Sequence, residues 1–298
     1  MKIGYFPGCS LHATAREFDE SLRLVAAALD IELDEVQDWA CCGATSAHAT
    51  NHALGIALPA RTLALAQRQK LDRVLCPCAA CYNRLATARH ALAHDKKTAA
   101  QVQSILGLAF DNSVGVVSIA EMLSGVTAEI RKQTRVPLTD VKVACYYGCL
   151  LVRPPDVCGF EDAEVPSSLE SIVSATGAAP VKWSMALECC GGGFSLSRTA
   201  SVVRLGRLIL RAARDAGAQI IVVACPMCHS NLDFRQRAML ERGGLNQPMP
   251  VLFLSELVGL SLGLDPDRLG LRRHFVSPQP LLDRISASKA MPERREQA

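Results

Sequence analysis

A chain of 298 residues, 49% apolar and 20% charged, is long enough for one large core or two units of roughly 150 residues. A formal charge of +3, without a Lys/Arg cluster interleaved with aromatics, predicts no nucleic-acid partner. No run of about 20 apolar residues is present to cross a bilayer, and scarce aromatics with abundant alanine predict close-packed helices rather than an all-β sandwich.

Taken in order, Lys2 to Phe6 is a short apolar run ended by Pro7-Gly8, a strand feeding a turn at Cys9. The N-terminus has no apolar stretch with a small-residue cleavage site, so a cytoplasmic chain with reduced thiols is expected. Phe18, Leu22, Val25 and Leu29 follow at helical spacing. Ile31 to Trp39 is part strand and delivers Cys41-Cys42-Gly43. A helical stretch from about Ala53 to Lys70 contains Pro59, which should start it late or kink it. Arg73-Val74-Leu75 is a brief strand ending at Cys78, and Tyr82 to His94 is helical. Ala99 to Leu108 and Val116 to Leu123 are predicted helices, with a seam at Pro137.

The order then repeats. Val141 to Tyr147 is a strand into Gly148-Cys149, offset by 140 residues from Ile3 to Cys9. A helix is expected around Ser167 to Thr176 and a strand at Val181 to Trp183, before Cys189-Cys190. Val202, Leu205, Leu208 and Ile209 form the stripe of a long helix ending near Gly217. Gln219 to Ala224 is a buried strand that stops at Cys225. Each half thus reads strand, helix, strand, helix, strand, helix, an α/β class with largely parallel strands flanked by helices. The expected units are 1–137 and 138–283, followed by a polar tail, 284–298, loose or used for docking.

Ten of the thirteen cysteines fall in a doubled pattern, C-x31-C-C-x35-C-x-x-C and then C-x39-C-C-x34-C-x-x-C. The two sets are Cys9, Cys41, Cys42, Cys78, Cys81 and Cys149, Cys189, Cys190, Cys225, Cys228. They fall where strands end, and ligands in such sheets sit beyond the carboxyl ends of strands. Thiolate is a soft ligand that selects zinc, Cu(I) or iron–sulfur, and zinc closes a site with four ligands. Five per half, two of them adjacent, favour an iron–sulfur core in which one of the pair bridges two irons. Structural zinc, a redox dithiol at either C-x-x-C, and a strained disulfide between adjacent cysteines are the competing readings.

Cys76, Cys145 and Cys158 lie outside the repeat. Cys76 aligns with Val223 and Cys145 with Tyr5, strand positions that favour buried, inert thiols, although Cys76 competes with Cys78 as a ligand. His12, His48 and His229 flank the ligand loops as surface or supporting histidines, or as proton donors. Arg153 and Lys182 are either solvated charges or anion contacts. No G-x-G-x-x-G follows a strand, so neither flavin nor nicotinamide is expected on this chain; Gly191-Gly192-Gly193 instead gives freedom around the second cluster.

The pattern resembles the cysteine-rich CCG domain, and two copies filling a chain of this length resemble the B subunit of heterodisulfide reductase. The match is carried by Tyr5-Phe6-Pro7-Gly8-Cys9, Cys41-Cys42-Gly43, Cys78-Ala79-Ala80-Cys81-Tyr82, Tyr147-Gly148-Cys149, Cys189-Cys190-Gly191-Gly192-Gly193 and Cys225-Pro226-Met227-Cys228. It spans residue 1 to about 260, and its one departure is a second long spacer one residue short of the family's usual 35–36. The resemblance implies two noncubane [4Fe-4S] clusters, one on each set of five cysteines, with a disulfide substrate between them. It implies partner subunits, both iron–sulfur and flavin-containing. In the sulfur-oxidising relatives it further implies the oxidative direction on a substrate held by a lipoate-binding carrier protein, and the composition leans toward that type. The rival reading is an electron relay that wires a partner oxidoreductase without touching substrate.

Overall fold

The computed structural model describes residues 1–44, 47–108, 110–243 and 245–286. The first half runs β1 (Lys2–Tyr5), α1 (Gly8–His12), α2 (Arg16–Ala28), β2 (Glu32–Glu35), α3 (Ala47–Thr50), α4 (His52–Arg68), β3 (Arg73–Cys76), α5 (Ala79–His94), α6 (Lys96–Leu106), β4 (Gly115–Ser118), α7 (Ile119–Ser124) and α8 (Thr127–Gln133). The second runs β5 (Lys142–Tyr146), α9 (Pro155–Cys158), α10 (Ser168–Ala175), β6 (Ala179–Pro180), α11 (Thr199–Asp215), β7 (Ile220–Val223), α12 (Pro226–Asp233), α13 (Gln236–Glu241), β8 (Val251–Phe253) and α14 (Leu254–Ser261).

Each half builds a four-stranded sheet in which every pairing is parallel, in the orders β2-β1-β3-β4 and β6-β5-β7-β8. Parallel strands are covered on both faces, which is why β7 is the unbroken run Ile220-Ile221-Val222-Val223 and is wholly buried. In both sheets the chain reverses its direction of growth between the first and third strands, at β1/β3 and β5/β7. The crevice beyond the carboxyl ends of such a pair is where open α/β sheets bind ligands. Cys9 follows β1, Cys78 follows β3, Cys149 follows β5 and Cys225 follows β7.

Several sequence expectations need correcting. Each half has four strands, not three. Residues expected to open a helix at Val116 instead form β4, whose β-branched Val116 and Val117 pair in register with Val74 and Leu75 before the helix begins at Ile119. Strand β8 has no counterpart among the expected elements. Pro59 neither delays nor ends α4, which runs unbroken from His52 to Arg68, because Ile56, Ala60, Leu63 and Ala64 are buried along it and packing outweighs the lost hydrogen bond. Leu208 is exposed; the buried stripe of α11 is Val202, Val203, Gly206, Ile209, Leu210 and Ala213. The strand expected at Val181–Trp183 lies at Ala179–Pro180, where Lys142 and Val143 offer the pairing. Of the tail, 284–286 continue a helical segment from 279, and 287–298 lie outside the described residues.

One hydrophobic core runs through both halves. Helix α2 of the first half packs on α14 of the second: the Phe18 and Phe253 rings stack 4.2 Å apart at 4°, and the Ser21 and Ser255 hydroxyls meet at 2.7 Å. Among the described residues no helix is long and apolar enough to cross a membrane.

Candidate metal centre: two sulfur sets that meet

Each half presents its cysteines by the same local devices. After β1 and β5 the backbone turns through a glycine with positive φ, Gly8 (+69°) and Gly148 (+66°). A Cβ on Gly8 would lie 2.9 Å from the Cys81 sulfur, and one on Gly148 would lie 3.3 Å from that of Cys228. Only a bare backbone fits such a cradle. The first cysteine of each C-x-x-C caps a helix, Cys78 for α5 and Cys225 for α12, and the second sits in the first turn. There the helix dipole favours a thiolate, and Pro226 occupies the first helical position, where its missing N–H costs nothing. In the second half, the N–H groups of Tyr147 and Gly148 both donate to Ala186 O (3.0 and 3.1 Å), drawing the Cys189-Cys190 loop over the Cys149 turn.

All ten expected cysteines come together, and all thirteen cysteines are free thiols. Cys41 lies 3.9 Å from Cys9, Cys42 lies 3.4 Å from Cys81, and Cys190 lies 3.5 Å from Cys228, sulfur to sulfur. Cys81 also contacts Cys78, Cys225 contacts Cys228, and Cys149 contacts Cys189. Cys78 and Cys225, counterparts in the two halves, lie near enough for each to perturb the other's thiol. The two sets therefore meet where the repeat folds back on itself. In each set the pair's second cysteine and the C-x-x-C are buried. Cys9, Cys41 and Cys189 are exposed and Cys149 is half-buried, forming the rim.

Crowded thiols share protons unequally. Hydrogen bonds from Cys41 and Cys81 bring Cys42 down to about 3, and Cys149 holds Cys189 down to about 6. Cys225 is depressed by Cys228 and Cys78, while Cys41 and Cys149 are pushed up as the proton-bearing partners. Soft thiolates are what a metal needs. The backbone N–H of Gly43 reaches Cys41 Sγ at 3.5 Å, and that of Gly191 reaches Cys189 Sγ at 3.3 Å. Among the described residues no three His, Cys, Asp or Glu side chains converge as ligands of a single metal ion. Ten soft donors, glycine cradles beside two of them and N–H groups aimed at two more fit iron–sulfur clusters.

Supporting residues are only partly visible in the sequence pattern. Three residues beyond each C-x-x-C, on the same helical face, stand Arg84 and Asn231. Arg84's charge helps hold Cys42 down. Asn231 donates to Cys190 O at 3.3 Å and approaches Cys190 Sγ at 3.6 Å. The equal offset of the two positions in the repeat is the one signal that marks them. Asn83 donates to Leu150 O (3.1 Å) and Arg153 O (2.7 Å), and the Tyr82 hydroxyl donates to Cys158 O, so α5 is fastened to the loop after Cys149. Cys76 is enclosed in β3 and Cys145 in β5, while Cys78 is the one in contact with the other sulfurs. His229, expected at the surface or supporting a ligand, is in the core: its Nε2 meets Val251 O at 2.9 Å, it stacks on Phe253, and burial pushes it down to about 3. His12 is half-exposed beside Trp39, and His48 is exposed. Arg153 pairs with Glu164 at 3.3 Å and Lys182 is solvated.

The cradle carries a prediction. Gly8→Ala should displace the Cys81 sulfur and lose metal from the first set alone. Gly159→Ala has a similar φ of +59° but open space around it, and should show only the ~1 kcal/mol of backbone strain. Iron and sulfide content per chain, with thermal melting, checks this; an unchanged iron content in Gly8→Ala would refute the close approach.

The chain matches the model of the cysteine-rich CCG domain twice, over residues 3–86 and 143–233. It is 33% identical to the 8-methylmenaquinol:fumarate reductase membrane anchor subunit of Wolinella succinogenes, covering 94% of this chain and 99% of that one. It is 32% identical to the B subunit of the ferredoxin:CoB-CoM heterodisulfide reductase of Methanosarcina mazei, covering 95% and 97%. Among solved structures, a hypothetical protein from Helicobacter pylori superposes with a TM-score of 0.75 at 13% identity over 93% of this chain. The chain spans about half (52%) of that protein, and the likeness is one of fold.

Proposed function

Because the chain belongs to the cysteine-rich CCG domain family and carries that domain twice, we propose that it is the catalytic iron–sulfur subunit of a heterodisulfide reductase-like complex. In this reading Cys9, Cys41, Cys42, Cys78 and Cys81 hold one noncubane four-iron cluster, and Cys149, Cys189, Cys190, Cys225 and Cys228 hold the other. What supports the reading is the gathering of the two five-cysteine sets, with Cys78 of one near Cys225 of the other.

Cleaving a disulfide takes two electrons and two protons and yields two thiols; forming one releases them. Iron–sulfur clusters held by the two sets would supply the two electrons, one from each. The chain's residues do the rest. Six buried cysteines fix the clusters against the core, while the exposed rim of Cys9, Cys41 and Cys189 leaves one side open to substrate. The Arg84 charge and the Asn231 side chain tune the sulfurs they face, as hydrogen bonds and charge near a cluster set its potential. Electrons enter or leave through partner iron–sulfur and flavin-containing subunits, in the cytoplasm. A substrate carried by a lipoate-binding protein, in sulfur oxidation, is the proposed physiological setting.

An electron relay without substrate chemistry is the second reading. What favours it is the Wolinella relative, named for fumarate, which contains no sulfur. Anaerobic protein with about eight irons per chain, mixed with a lipoyl disulfide and followed by electron paramagnetic resonance, separates the two. Substrate-dependent change in both cluster signals is expected. Signals that ignore the disulfide while electrons still pass to a partner would select the relay.

A further inference from the structure

Away from the sulfur sites, a cavity of about 350 Å³ opens between α5 and β4 of the first half and α9 of the second. A recess of about 80 Å³ adjoins it, sharing Tyr82, Glu121, Cys158 and Gly159. Two buried polar atoms in this cavity have no partner among the described residues, Arg89 Nε and Asn112 Oδ1. Arg89 lies in its wall with no hydrogen-bond or carboxylate partner among the described residues, and its Nε is out of contact with water. Asn112 Nδ2 donates to Arg89 O at 2.9 Å, which fixes the amide's orientation. Its Oδ1 is thereby left buried without a donor. His90 and His94 stack 4.2 Å apart on the same wall. His94 Nδ1 lies 2.8 Å from His90 O, and a carbonyl only accepts, so in the neutral ring Nε2 remains an acceptor. Glu121, exposed and 3.6 Å from the Arg73 guanidinium, completes the wall at its rim.

The buried inventory is one cation without a carboxylate partner among the described residues and one acceptor without a donor, with His94 and Glu121 exposed at the rim. Leaving buried polar groups unpaired is costly, and a ligand that satisfies both brings an anionic group for Arg89 and a hydroxyl donor for Asn112, with further hydroxyls in reach of the exposed His94 and Glu121. The geometry points to a binding site for a small polyhydroxylated anion, held by Arg89 and Asn112 in the cleft between the halves. The cavity is at the small end of ligand pockets and accommodates an acid of six carbons or so. Its floor is Tyr82, the residue after Cys81, so an occupant rests against the helix that carries the first C-x-x-C.

Calorimetry on the full, cluster-loaded chain tests this with gluconate, hexanoate and inorganic phosphate as probes. Gluconate is expected to bind saturably, with hexanoate weaker by at least roughly tenfold because it brings no donors. Phosphate separates recognition of any anion from recognition of the hydroxyls. Arg89→Gln should weaken gluconate at least about tenfold, and because the Arg89 side chain has no partner to lose among the described residues, the melting temperature should stay put. Glu121→Gln should tighten binding, since it removes a like charge. No saturable binding of gluconate, equal affinity for hexanoate or phosphate, or gluconate affinity indifferent to Arg89→Gln would each overturn the assignment.

Discussion

Cys42→Ala and Cys190→Ala are each expected to abolish turnover while leaving the fold intact. Both sulfurs are buried, and each contacts the second cysteine of its C-x-x-C, at 3.4 and 3.5 Å. Losing a residue that merely hydrogen-bonds a metal ligand typically costs ~10–100-fold, and losing a ligand at the heart of the set should cost more. The spectroscopy should be selective. On the proposed ligand assignment, Cys42→Ala is expected to remove the signal of the first set and spare the second, and Cys190→Ala to do the reverse. Neither single-cluster variant should cleave a disulfide, because one cluster usually passes one electron and the bond takes two. Cys76→Ala is the internal control: its thiol is enclosed in β3, burial pushes it well up, and both signals should persist. Wild-type turnover in Cys42→Ala or Cys190→Ala would remove the two-cluster mechanism. Loss of the first set's signal in Cys76→Ala would move the ligand assignment from Cys78.

Glu256→Ala is expected to destabilise the fold by about 3–5 kcal/mol, the usual cost of stranding one member of a buried ion pair. His274 Nε2 and Glu256 Oε1 are 2.8 Å apart with both side chains fully buried. The other Glu256 oxygen accepts the Phe253 N–H at 2.8 Å, at the start of α14, where the halves are joined. Burial pushes His274 down, but the Glu256 charge and hydrogen bond outweigh it, so the imidazole is raised above 6.5; burial raises Glu256 above 4.5. Groups raised in the folded state contribute fully at the acid end, and the contribution fades as pH rises. For Glu256 the loss begins near 4.5 and for His274 near 6.5. The stability gap between the native chain and His274→Gln, measured by denaturant unfolding, should therefore shrink from about pH 6.5 upward. A gap that stays flat or widens would mean the histidine is buried neutral. Glu256→Leu combined with His274→Phe should recover much of the loss, because an apolar pair strands no charge.

Much of this is legible in local pattern. The strands leading into Cys9, Cys78, Cys149 and Cys225, the long helix after the second double cysteine, and the membership of both sulfur sets follow from runs of a few residues and from a repeat. Short strands are harder. β4 and β8 are three to four residues long, and so brief an apolar run has no period of its own; the neighbouring strand's register decides it. Pro59 misleads for a related reason, since intrinsic propensity is small beside the burial of a helix face. His229 misleads because its neighbours in sequence are site residues while its neighbours in space, Val251 and Phe253, belong to a strand too short to announce itself.

The amino-acid sequence by itself determined that a five-cysteine pattern occurs twice and that Cys9, Cys78, Cys149 and Cys225 follow parallel strands. Spacing, glycine turns and strand ends act within one half of the chain, so reading along it suffices. Only the tertiary structure decided that Cys78 lies near Cys225, that α2 locks onto β8 and α14 through Phe18 with Phe253 and Ser21 with Ser255, and that Arg89 faces a cleft with no side-chain partner among the described residues. Those contacts join residues far apart in the chain, and they form only because a single core runs through both halves and fixes where their surfaces meet.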